Sequence, residues 1–478
     1  VNVLAQQVVI VGGGLAGMAA ATSLATRGLR VTLLEAKRRL GGRAGSYIDR
    51  DSGELIDHCQ HVAMGCCTNY LDFCERVGIG GLFQRYETLH FFGPDGRRSD
   101  FRPSNWLPAP LHLLPALRGL RYLSSGSRRA IERAVLRLTR AADEDSASSA
   151  TMLEWLRENR QPDEAIELFW AAVLVSALGD TLDRVSVPAA KKVFVDGFMA
   201  AQGASDVLVP RVSLGELYDV RAAERLREQG VEIRLGATVE RVVISGGRVQ
   251  GVELKGGEKL SAEFVLLSLP WRRAVELVDS SMRDELPELS QAAAIKPSPI
   301  TGIHLWLDRA ITDLPHAVLV GRLSQWVFAR SERQSADAVS NDSNDGGHYY
   351  QVVISGSHDL AGRDRTSVLE EVLGDLRAIW PAAHEAKVIR WQMVTEHESV
   401  FSMQPGIEAL RPSQRTAVNG LLLAGDWTRT GWPATMEGAV RSGYLAAEEA
   451  LRDVGQAEAI LKPDLNRGWL AKLLLPAS

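Results

Sequence analysis

Hydrophobic positions along this chain follow two rhythms. Uninterrupted apolar runs occur at "VVIV" (8–11), "VTLL" (31–34), "FVLL" (264–267) and "LLLAG" (421–425). Runs without alternation read as buried strands, the habit of a parallel sheet covered on both faces. The first is followed by an Ala-rich stretch, "LAGMAAATSLA", which predicts a helix. Residues 290–395 instead alternate, as in "ITGIHLWLDRAI", "HAVLVGRLSQWVFA" and "HYYQVVISGS", and predict strands of a second sheet. Residues 76–204 carry helix signals and are rich in Leu, Trp and Arg. The block 207–270 reads as helix, strand, a β-meander with Gly-Gly turns, and a buried strand. A polar run at 330–347 predicts a mobile hairpin insertion. The pattern predicts a discontinuous α/β domain from 1–75, 205–289 and 396–478, with an α+β domain inserted from 76–204 and 290–395.

The glycines after the first strand give the sheet a task. Gly12 permits the tight turn, Gly14 lets backbone approach a pyrophosphate, and Gly17 lets helix and strand pack closely. Leu15 and Ala16 open the helix, whose N-terminus turns unpaired N–H groups toward the phosphates. Glu35, followed by Ala36, ends the second strand and can accept hydrogen bonds from both ribose hydroxyls, which disfavours a 2′-phosphate. No second G-x-G-x-x-G follows a strand, so a reductase with its own NAD(P)H domain is disfavoured.

Composition narrows the partners. In 478 residues, 24% charged and with net charge −5, nothing offers a field for nucleic acid. Four cysteines, Cys59, Cys66, Cys67 and Cys74, form no short C-x-x-C pair, so no metal site is expected. The cysteine usage favours a reducing compartment. The chain enters its first strand without a signal-like segment and has no apolar run of spanning length, so a cytoplasmic protein is expected. Segments 105–140 and 465–478 mix Trp, Leu and basic residues. Each reads either as a helix packed on its own domain or as a peripheral contact with a membrane.

Further motifs point to one family. "RRLGGRAGS" (38–46) matches R-x-x-G-G-R-x-x-[ST] through Arg38, Gly41, Gly42, Arg43 and Ser46. This resembles the amine oxidase and phytoene desaturase superfamily of flavoproteins, and the resemblance selects FAD. "GLLLAGDWTRTGWPATMEGAVRSG" (420–443) is similar to the superfamily's C-terminal element. That likeness implies Gly425 and Asp426 at the ribityl or pyrophosphate region, with Thr435, Met436 and Glu437 near the ring, and Val239 on the adenine-facing strand. Within the superfamily, Asp57-x-x-Gln60-His61 and Trp432-Pro433-Ala434-Thr435 resemble the bacterial squalene-associated flavoproteins, the hydroxysqualene dehydroxylases. Cys59 stands where that family's pattern has Gly, which would restrict the loop if positive φ were needed there.

The resemblance implies an amine oxidase-like fold, an isoprenoid substrate and replacement of an allylic hydroxyl by hydrogen, with electrons from an external donor. Asp57 and His61 are the candidate acids, and Trp432 a candidate to stack beside the flavin or wall the channel. A carotenoid desaturase, running hydride from substrate to flavin, is the nearest alternative. An amine oxidase and a non-redox prenyl-lipid binding protein fit less well.

Overall fold

In the computed structural model, the described residues are 6–49, 52–141, 150–278, 286–330 and 347–475. The four uninterrupted apolar runs, with Glu232–Leu235 added at one edge, form a five-stranded sheet in the order Glu232–Leu235, Arg30–Glu35, Gln7–Val11, Phe264–Leu267 and Leu421–Leu423. Every neighbouring pair is parallel. The central strand is buried because helices pack on its Val8 and Ile10 face and the β-meander on its Val9 and Val11 face, so it has no polar side to alternate with.

Two helices converge on this sheet. Leu15–Ala25 packs on Met436–Asp453 through small residues: a Cβ added at Gly443 would lie 2.2 Å from the Ala16 carbonyl oxygen. At Gly17 an added Cβ would lie 2.0 Å from the Gly12 carbonyl oxygen. The small side chains thus set the approach of each helix. Thr435 caps the second helix, its Oγ1 accepting the Gly438 N–H at 3.0 Å.

The alternating runs form a seven-stranded sheet. Its order is Val388–Phe401, Pro297–Leu307, His348–Ser355, Trp326–Arg330, His316–Leu319, Leu89–Phe92 and Arg98–Phe101. Only the His316–Leu319 and Leu89–Phe92 strands run parallel. Ile303, Leu305, Val352 and Ile354 pack against the Arg365–Ile379 helix. The opposite face carries Ile300, Gly302, Val353, Ser355, Trp326 and Phe328.

Two differences from the sequence reading matter. The last two strands come from the region read as helical. They are too short for periodicity to identify and are fixed by pairing with the sheet edge. Val388–Phe401 also runs unbroken past 395, because it pairs with Pro297–Leu307 almost throughout. The Gly-Gly turns of the meander are present, with positive φ at Gly246, Gly247, Gly256 and Gly257. The hairpin expected at 330–347 lies, apart from its ends, outside the described residues.

Candidate flavin and substrate site

One cavity of about 820 Å³ runs between the two sheets. Gly12, Gly14, Leu15, Ala16, Glu35, Gly41, Gly42, Arg43, Gly425, Asp426, Thr435 and Met436 line one end. Leu117, Phe169, Val173, Phe194, Phe198, Trp326 and Phe328 line the other. The polar end fits a dinucleotide. A Cβ added at Gly14 would meet no atom within 4 Å, so this is where backbone faces open space. The Ser268 hydroxyl, also on the cavity wall, is buried without a hydrogen-bond partner among the described residues. It is a group awaiting a ligand.

Glu35 is fixed by its own turn. One carboxylate oxygen accepts the Gly13 N–H and the other the Lys37 N–H, both at 2.8 Å. Each oxygen keeps a lone pair for a ribose hydroxyl. Arg43 bridges the two sheets, donating to Asp426 at 2.6 Å and to the Ser399 carbonyl at 2.9 Å. Burial alone would lower the pKa of Arg43, but Asp426, Glu396 and Glu398 more than offset it and the pKa is raised. The guanidinium stays charged where a diphosphate would lie.

The loop 57–61 separates into structural and cavity-facing residues. Asp57 is buried and does not line the cavity. Its carboxylate accepts from the Ser46 hydroxyl at 2.6 Å, the Leu214 N–H at 2.9 Å and Arg330 at 3.1 Å. It clamps the loop to the strand before it. His58, Cys59, Gln60 and His61 do face the cavity. The His61 ring bonds through Nδ1 to the Cys59 carbonyl at 2.9 Å, which requires Nδ1–H as donor. Burial lowers its pKa more than that bond raises it, so the ring is neutral and Nε2 carries no proton. Burial, then Arg39 and Lys37, bring His58 down to about 4. Burial pushes the Cys59 thiol up to about 12. Cys59 is not among the positive-φ residues, so the loop does not depend on a glycine there.

Several sequence-derived site residues lie outside the cavity lining. Gly17 serves helix packing, Ala36 and Arg38 follow the strand, and Val239 pairs with Leu254 in the meander. Glu437 does not line the cavity. Its buried carboxylate accepts from Asn69 and Tyr70 at the start of the Thr68–Arg76 helix, where the helix dipole favours it. Trp432 packs on Cys66 and Ala204 and donates to Asp464 at 3.1 Å, so it does not wall the channel. Sequence reasoning missed Glu396, which lines the cavity from the edge strand, and the residues that form the aromatic tunnel. Neither forms a motif; only strand register and helix packing bring them together.

A Rossmann-type sheet joined through one cavity to a largely antiparallel sheet is the arrangement of a flavoprotein. The chain belongs to the flavin-containing amine oxidoreductase family, whose model matches residues 15–451. Its cofactor is FAD. It is 27% identical over 458 residues to the hydroxysqualene dehydroxylase of Zymomonas mobilis, covering 92% of this chain and 98% of that protein. It is 23% identical to the 15-cis-phytoene desaturase of Solanum lycopersicum, covering 94% and 78%. Among solved structures, cyclohexylamine oxidase from Brevibacterium oxydans superposes with a TM-score of 0.67 at 18% identity, covering 95% of this chain and 100% of that one.

Proposed function

We propose that this flavoprotein reductively dehydroxylates hydroxysqualene to squalene. The observation that carries the reading is the single cavity joining the dinucleotide cradle to a Leu- and Phe-lined tunnel. A long isoprenoid has an apolar wall to lie on and a reacting end beside the flavin. Near end-to-end coverage of the dehydroxylase relative supports the same reading. When bound and reduced, FAD supplies hydride at N5.

The protein's own part is threefold. Arg43, Glu35 and the Leu15–Ala25 helix N-terminus hold the dinucleotide end. The tunnel orients the allylic carbon and excludes water that would recapture a cation. Phe169, Phe194, Phe198, Trp326 and Phe328 present aromatic rings that stabilise positive charge by ~0.5–2 kcal/mol each where a face is turned to it. His61, with Nε2 bare, can accept a hydrogen bond from the substrate hydroxyl and aim it.

The test is an anaerobic single turnover. Reduced enzyme mixed with hydroxysqualene is expected to oxidise its flavin and release squalene in equal amounts. No flavin oxidation above a substrate-free control defeats the reading. The phytoene desaturase relatives favour the opposite direction, in which oxidised enzyme is reduced by phytoene. That result in the same apparatus would replace the dehydroxylase with a desaturase. Steady-state turnover needs an external electron donor for the dehydroxylase and an external electron acceptor for the desaturase.

The cavity mouth supports a membrane-surface setting for this chemistry. Leu111 and Leu136 line the cavity yet are 41% and 57% exposed, and Trp106, on the segment that leads to Leu111, is 95% exposed. The Trp469–Leu474 helix starts against this segment, a Cβ at Gly468 lying 3.6 Å from that of Ala109. It exposes Trp469, Leu473 and Leu474. Residues 102–140 hold eight arginines against one glutamate, although the chain as a whole carries −5. No helix among the described residues is long and apolar enough to cross a membrane. An apolar rim set in basic residues suits the surface of an anionic bilayer. Flotation with phosphatidylglycerol vesicles, lost in neutral vesicles and in a W106S/W469S variant, is the expected outcome; equal flotation in all three rejects it.

A further inference from the structure

We propose that Glu396 is the acid that protonates the departing hydroxyl, an inference that rests on the dehydroxylase reading above. Among the described residues four carboxylates line the cavity: Glu35, Glu132, Glu396 and Asp426. Glu35 is occupied by two backbone N–H groups, and Asp426 by Arg43. Glu132 pairs with Arg118 at 2.9 Å. Glu396 accepts only the Glu398 backbone N–H, at 3.3 Å, and no ion pair holds it among the described residues. Among the carboxylates of the cavity wall, it is the one that no partner from another element engages by hydrogen bond or ion pair among the described residues.

Its position follows from strand register. Ser298 faces Val400, but Ile300 faces Glu396, so Pro299 alone lies opposite His397, Glu398 and Ser399. Proline has no N–H for the ladder, and the edge strand bulges there. The bulge delivers the Ser399 carbonyl to Arg43 and sets Glu396 directly beside Ile300. Ile300 has Ser355 on its other side. Directly paired residues share a face, and all three line the cavity.

The next row of that face is Gly302, Val353 and Trp326. A Cβ at Gly302 would lie 3.2 Å from the His58 carbonyl oxygen and 3.6 Å from the Cys59 sulfur. Its missing side chain is where the 58–61 loop rests. Glu396 therefore sits one sheet row from the loop that carries His61. The geometry brings a proton donor and a neutral hydroxyl acceptor to the same stretch of cavity wall.

The step balances as follows. The Glu396 proton passes to the allylic oxygen, and the C–O bond breaks with its electron pair leaving on water. Bound and reduced FAD would supply the hydride that the allylic carbon needs, and solvent reprotonates the Glu396 carboxylate. Removing a general acid costs 10²–10⁴-fold when the leaving group needs the proton. A halide leaves without one.

The experiment compares wild type with E396Q in flavin-loaded single turnovers on hydroxysqualene and on its allylic bromide analogue. Expected is a loss of about 100-fold or more on the alcohol, with turnover of the bromide within about threefold of wild type. A second readout needs no flavin. The allylic ammonium analogue, titrated into flavin-free protein by tryptophan fluorescence, is expected to bind about tenfold more weakly to E396Q. Undiminished alcohol turnover, equal losses on alcohol and bromide, or unchanged ammonium binding each overturns the assignment. If wild type itself fails on the alcohol and the bromide, the dehydroxylase reading falls first.

Discussion

At the nucleotide end of the cavity, charge is held in place: Glu35 by backbone N–H groups, Arg43 and Asp426 by each other. In the seven-stranded sheet the buried titratable rings are kept uncharged. Burial brings His304 to about 3, with Arg330, His58 and Arg390 adding to the effect, and brings His316 to about 4. The first region is prepared to meet an anionic cofactor, the second to border an apolar ligand. Low dielectric strengthens a paired charge and expels an unpaired one, so the same burial serves both.

The sharpest way to break this comparison uses two glycines three residues apart. Gly14→Val places its Cβ in open space, so the apoprotein is expected to melt as wild type does while flavin affinity drops at least about 100-fold, or roughly 2.7 kcal/mol. Gly17→Val drives Cβ into the Gly12 carbonyl and is expected to prevent folding. Calorimetry with and without added FAD distinguishes them. If G14V takes up FAD normally, the cradle has been misread.

Arg43→Ala tests whether the paired charges bind the two sheets together. Asp426, with its side chain 5% exposed, would be left buried and unpaired, and a loss of about 3 kcal/mol is expected in denaturant unfolding. Adding Asp426→Asn is expected to recover part of it, since the stranded charge is removed. Full additivity of the two losses would mean that the pair is not coupled.

At the apolar end, Val173→Trp fills the tunnel while leaving the dinucleotide contacts alone. The expected phenotype is a normal flavin spectrum and photoreduction with isoprenoid turnover reduced at least about tenfold. Unaltered turnover would show that substrate takes another route.

The smallest effect is on pH dependence. In the folded state His316 stays unprotonated down to about 4, whereas its ordinary value is 6.5. Between those limits the unfolded chain binds the extra proton, so stability is present above the unfolded value and declines as pH falls. Each such ring contributes at most about 1.4 kcal/mol per pH step. His316 lies among Tyr86, His90, Trp326 and Phe328, and His316→Phe is expected to flatten the slope of unfolding midpoint against pH. An unchanged slope would mean that the ring is charged in the fold.

What sequence alone determined is whatever depends on neighbours along the chain. Gly12, Gly14 and Gly17, the glutamate ending the next strand, the Gly41–Gly42–Arg43 turn and the helix beginning at Met436 are local solutions to backbone geometry, and their spacing is legible without a structure. Tertiary structure decided what depends on neighbours across space. Asp57 became a clamp because Leu214 and Arg330 arrive from distant segments. Glu437 became a cap because the Thr68–Arg76 helix begins against it. Glu396, in a stretch with no motif, reached the cavity because its register with Ile300 set which face it shares. Hydrogen bonds and packing act at a few ångströms, and only folding brings residues hundreds of positions apart within that range.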